Sequence, residues 1–142
     1  MNDLERAKQL LNAEGYTCVL CYGESVITST KRGVAPMVEW IESGVPVRGY
    51  SAADKVIGKA AAMLFVLAGV TSVYGEVMSR TAAEFLARKG VRHSYGTITD
   101  IIINRRGDGC CPMELLTKDM NDESEAYTAI RNKLVELRKE ST

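Results

Sequence analysis

The chain has 142 residues, the size of one domain, and is long enough to bury a core without disulfides or a structural metal. Lysine plus arginine and aspartate plus glutamate both total 18, which argues against nucleic acid as a partner, because phosphate binding normally leaves a basic excess. At 46% apolar and 25% charged residues, disordered, collagen-like and disulfide-scaffold classes are excluded. The longest apolar run, residues 60–70, is too short to span a bilayer, so no membrane partner is expected. The first residues carry acids and lack the apolar stretch of a signal peptide. The expectation is a cytoplasmic protein.

Residues 3–13 read as an amphipathic helix, with Leu4, Ala7, Leu10 and Leu11 at helical spacing and Gly15 closing it. Residues 16–22 and 25–30 read as two strands joined around Gly23 and Glu24, a hairpin. Pro36 suits the first turn of a helix running to Gly44. Residues 46–50 are expected to form a strand. The Ser-Ala-Ala-Asp of residues 51–54 is expected to open a helix ending near Gly69. A strand at 70–77, a helix from Arg80 or Thr81 to Lys89 and a strand at 91–97 follow. The Asn-Arg-Arg-Gly-Asp-Gly of residues 104–109 is a turn cluster, Cys111 and Pro112 open a short helix, and a last helix carries Ala126, Tyr127, Ile130, Leu134 and Leu137 on one face. A hairpin followed by alternating strands and helices predicts a three-layer α/β protein with a mixed sheet. It forms a single domain over 1–142, with 119–142 as a C-terminal helical extension.

Cys18 and Cys21 have the spacing of half a zinc site, but in a strand residues three apart point to opposite faces. Cys110 and Cys111 are vicinal and His93 is the only imidazole, so no metal and no other cofactor is expected. The common nucleotide-, zinc- and hydrolase-site motifs are absent from the sequence.

Two segments carry chemistry. Between Val56 and Gly69 the only charge is Lys59, so that helix must be buried on nearly every face. Lys55 and Lys59, four apart, would sit at the wrong end of its dipole unless an anion docked there. Asp54 would orient Lys55, act as acid/base, or simply cap the helix. Cys111, as N-cap residue of the later helix, is placed like a nucleophile or ligand, and Glu114 would reach back to the Cys111 N–H. Arg105 could add charge for an anionic group.

Residues 54–62 (Asp-Lys-Val-Ile-Gly-Lys-Ala-Ala-Ala), followed by Asn104, Arg105, Gly109, Cys111, Pro112, Met113 and Glu114, resemble a prokaryotic domain family of unknown function. The resemblance runs from about Gly15 to Leu116. It implies a fold like that of cytidine deaminases, with a five-stranded mixed sheet between helices. Deaminases open one helix with H-x-E or C-x-E and a later one with P-C-x-x-C to hold catalytic zinc. This sequence has neither. The resemblance further implies that two helix starts face one cleft, gathering Asp54, Lys55, Lys59, Asn104, Arg105, Cys111 and Glu114. Two functions follow. One is a site for a small anionic metabolite, nucleotide-like or phosphorylated, with Asp54, Lys55 and Cys111 as reactive groups and Lys59, Asn104, Arg105 and Glu114 as ligand contacts. The other is a non-catalytic binding or assembly module, a homo-oligomer whose six methionines and terminal helices supply the contact surface.

Overall fold

The computed structural model describes residues 2–103, 107, 109 and 111–140. In chain order the elements are α1 (Asp3–Ala13), β1 (Cys18–Tyr22), β2 (Ser25–Ser29), α2 (Ala35–Glu42), β3 (Ser51–Ile57), α3 (Lys59–Ala68), β4 (Ser72–Ser79), α4 (Arg80–Arg88), β5 (Arg92–Thr99), α5 (Pro112–Thr117) and α6 (Glu123–Glu140). One mixed sheet runs β2-β1-β3-β4-β5. β1 is antiparallel to both β2 and β3, while β3, β4 and β5 are parallel. The fold is thus a mixed five-stranded α/β sheet with helices on both faces, as the alternation of elements predicts. Among the described residues no helix is long and apolar enough to cross a membrane.

The sheet separates two apolar clusters. The smaller joins Ala7 and Leu11 of α1 to Val19, Cys21, Ala53 and Tyr74. The larger joins Cys18, Leu20, Ala52 and Val73 to buried residues of α2, α3, α4, α5 and α6. Cys18 and Cys21 therefore lie on opposite faces, and the strand reading that ruled out their chelating one ion holds. α3, apolar all round, is enclosed by the sheet, α4 and α6. Four methionines, Met37, Met63, Met78 and Met113, are buried in the larger cluster. They fill the core and cannot form the contact surface expected of the assembly reading.

Two sequence expectations fail together. Residues 46–50 form a loop in which the Tyr50 N–H donates to Val47 O across Gly49, whose φ of +87° suits glycine alone. Residues 51–57 form the strand, not the start of a helix. Helix propensity favours Ala52, Ala53 and Lys55, but tertiary pairing on both sides outweighs it. Ala52 and Ala53 are fully buried on opposite faces, where their small side chains let the two helical layers approach closely. The helix begins after Gly58.

Side-chain alternation also slips within β3 and β4. Ala53 and Tyr74 pack beside α1, yet Ile57 and Met78, four residues on, pack in the opposite cluster. In an unbroken strand an even step keeps the face. The ladder skips the row Lys55, Glu76 and Gly96. At that row Asp54 Oδ1 takes the Val56 N–H at 3.2 Å, a local bond that competes with regular pairing. The slip falls near the carboxyl ends of the strands, where α3 begins.

Candidate functional site

Gly58 is the N-cap of α3 and has no side chain to cap it, so the first N–H groups need another acceptor. Glu114 of α5 supplies it. Its Oε1 accepts from the Lys59 N–H at 2.9 Å and its Oε2 from the Ala60 N–H at 3.2 Å. The carboxylate meets the positive end of the helix dipole. A Cβ on Gly58 would overlap that carboxyl group, so glycine makes room for it. In the reverse direction, Lys59 Nζ donates to the carbonyl of Lys118, the C-cap of α5, at 2.9 Å. Each helix thus supplies the charge that the other's end lacks.

The expected local cap is absent: the Cys111 N–H donates to Ile102 O at 2.8 Å, and Glu114 reaches α3 instead. Cys111 is the N-cap of α5 and Pro112 opens that helix, as the sequence indicates. Half-buried Cys111, Gly58, Val56, Met113 and Glu114 share a pocket of about 80 Å³ where the two helix starts meet.

Asp54 lies elsewhere in this geometry. It sits opposite Cys18 in the antiparallel ladder, its carboxyl beside the thiol and accepting from the Val56 N–H. Burial raises its pKa from the ordinary 3.8 to about 7, outweighing the lowering by these contacts. The Cys18 thiol is also pushed up, first by burial and then by the Asp54 charge. Lys55 pairs with Glu76 at 3.5 Å, half-exposed. Because Lys55 is in β3 and Lys59 in α3, the expected pair of lysines on one helical face does not form, and Asp54 does not cap a helix. The site gathers Lys59, Cys111 and Glu114; Asn104 and Arg105 lie outside the described residues.

Beside this junction is an open cavity of about 700 Å³, lined by Lys59, Thr81, Glu84, Arg88, Lys118 and Asn121, among others. Lys59 is buried, and its pKa is lowered by desolvation and by Arg88, against the opposing pull of Asp119 and Glu114. Arg88 is held by Asn121 Oδ1 at 3.3 Å and lies over the Phe85 ring. Sequence reasoning missed Arg88, Lys118 and Asn121. Each is an ordinary polar residue near a helix end, and only the packing of α3, α4 and the turn after α5 brings them together.

A mixed α/β sheet whose two helix starts meet at the carboxyl end of a central strand defines the class of protein. The chain belongs to the TM1506 family, a domain of unknown function (DUF1893), matched over residues 6–134. Among solved structures it is similar to the crystal structure of a DUF1893 family protein (TM1506) from Thermotoga maritima. That match has 25% identity and a TM-score of 0.85, over 93% of this chain and 90% of that one. No curated protein sequence matches the chain.

Proposed function

We propose that this protein binds a small anionic metabolite, nucleotide-like or phosphorylated, in the open cavity between α3, α4 and the turn after α5. The observation that carries this reading is Lys59: a buried side chain whose ammonium end lines the cavity, bonded to one carbonyl, with a guanidinium near enough to depress its pKa. An anion between Lys59 and Arg88 would relieve both the desolvation and the repulsion. Lys118 adds a third cation, against Glu84 and Asp119. The N–H groups of α3 are not the seat, because Glu114 already occupies them.

A cytidine deaminase-like zinc centre would need its ligands where these two helices begin. In this chain Gly58, Lys59 and Ala60 open the first helix without a metal ligand, and the second offers one thiol, Cys111. Among the described residues, no group of three or more His, Cys, Asp or Glu is arranged to hold a metal ion. The anion reading calls on no metal ligand. The reactive roles expected of Asp54, Lys55 and Cys111 have no shared pocket, since Asp54 faces Cys18, Lys55 pairs with Glu76, and Cys111 lines the small pocket. Binding fits this arrangement better than turnover.

The test is a thermal-shift and calorimetric screen of the purified protein against inorganic phosphate, nucleotides and sugar phosphates. A ligand at about 100 times its dissociation constant adds about 2.7 kcal/mol of stability. Binding should be lost in Lys59→Met, weakened at least about tenfold in Arg88→Met, and unchanged in Lys55→Met. Binding that survives Lys59→Met and Arg88→Met, or no response to any anion, overturns the reading.

A further inference from the structure

β5 is one edge of the sheet: one row of its backbone N–H and C=O groups is bonded to β4, and among the described residues no strand pairs with the other. Sheet edges left free are templates for pairing with another strand, and proteins usually guard them by shortness, proline, charged side chains, bulges or a covering segment. The opposite edge, β2, is guarded in this sense: it has five residues, and the Tyr50 hydroxyl reaches across to Ser25 Oγ at 2.7 Å. β5 has eight residues, Arg-His-Ser-Tyr-Gly-Thr-Ile-Thr, with no proline or acid within it and its single arginine, Arg92, at its very start, so Ser94 to Thr99 carry no charge. Tyr95 is 43% exposed on it, and Ile101, 54% exposed, follows two residues beyond its end.

We infer that β5 pairs with β5 of a second copy of this chain, antiparallel about a two-fold axis, making one continuous sheet of two subunits. The charges at the strand's ends select that partner. Arg92 opens β5 and Asp100 immediately follows it, both exposed. A two-fold apposition centred on Gly96 sets Arg92 opposite the partner's Asp100, and the same contact occurs twice. A parallel pairing would set Arg92 against its own kind. The same register places Tyr95 across from the partner's Thr97, an aromatic and a β-branched residue, a favourable cross-strand pair. Such a contact is isologous and closes at two copies. Asp100 already touches Arg80 at 2.6 Å, but that pair is largely exposed and leaves carboxylate oxygen for a second cation. The inference is independent of the anion site, because neither Arg92, Tyr95 nor Asp100 lines the cavity.

Sedimentation equilibrium of the full chain from nanomolar to high micromolar concentration tests it. A monomer–dimer equilibrium is expected that weakens with added salt. Arg92→Asp and Asp100→Arg should each weaken it by at least about tenfold, and the two together should restore it. Both positions are exposed, and circular dichroism verifies that each variant is folded. Should a charge reversal fail to fold, Tyr95→Lys, which places a cation in the centre of the apposed edge, replaces it and is expected to dissociate the dimer. A monomer at every concentration overturns the inference. So does a dimer indifferent to the single reversals, or one that the double reversal does not restore, since association would then use another surface.

Discussion

Asp54 shows how far a residue's neighbours can displace its chemistry. Its carboxyl faces a thiol and backbone N–H groups but, among the described residues, no cation, and its pKa stands near 7 because burial penalises the charged form. Below the unfolded value of 3.8 both states hold the proton and nothing is lost. Between about pH 4 and 7 the unfolded chain releases a proton that the folded chain keeps, so stability falls as pH rises, and the full penalty stands above pH 7. The rise from 3.8 to about 7 sets its ceiling at roughly 4 kcal/mol. Asp54→Asn preserves the shape and an acceptor for the Val56 N–H. Urea unfolding of both proteins at pH 5 and pH 8 should show the variant gaining on the parent as pH rises. A difference that stays flat with pH would mean that Asp54 is already ionised in the native state. The sequence could point to Asp54 as unusual, but not to why. Ser51 and Asp54 have the spacing of a capping pair, and that spacing says nothing about Cys18, which becomes its neighbour only when β1 pairs with β3.

At the scale of elements, α3 and α5 hold each other through Glu114 and Lys59, and Gly58 is what lets them do so. Glu114→Ala leaves two N–H groups of α3 without their acceptor and should cost about 1–3 kcal/mol in urea unfolding. Gly58→Ala has an ordinary φ of −95°, so backbone strain is not its cost. The new methyl must push the Glu114 carboxyl off the helix start, which makes its cost similar to that of Glu114→Ala. In a Glu114→Ala background the same Gly58→Ala change should cost only about 0.5 kcal/mol, the difference between glycine and alanine at an N-cap. The cycle is therefore strongly sub-additive, and simple additivity would refute the clasp. Local signals made α1, the β1–β2 hairpin, Pro36 in α2 and the Cys111–Pro112 start of α5 legible, since periodicity, turn residues and proline act within one element. β3 was not legible. Its alanines suit a helix, and only pairing with β1 and β4 makes residues 51–57 a strand. The same long-range logic hides the clasp, because Lys59 and Glu114 are 55 residues apart: Glu114 reads as a cap for its own helix and Lys59 as a cation awaiting an anion.

For the whole molecule, the helix expected as an extension closes the larger core. Ala126 and Ile130 of α6 are fully buried in the cluster that contains α3, and Tyr127, Leu134 and Leu137 pack against it. Lys89 ties the start of α6 to the end of α4 through Glu123 at 3.2 Å. α6 therefore presses α3 toward the sheet, and α3 carries Lys59 to the cavity. Ile130→Ala removes a buried branched side chain and should cost about 2–4 kcal/mol, a large share of a typical domain's 5–15 kcal/mol. Val135→Ala, on the exposed side of the same helix, should change stability by less than about 0.5 kcal/mol. Chemical denaturation of the two variants compares them within one element, so helix propensity nearly cancels and burial remains. If Ile130→Ala is as mild as Val135→Ala, α6 is an appendage and the cavity is framed by α3, α4 and α5 alone. If it is severe, removing residues from 121 onward should expose the outer face of α3 and lose the fold and the anion site together, whereas Lys59→Met should lose the anion site and leave the fold.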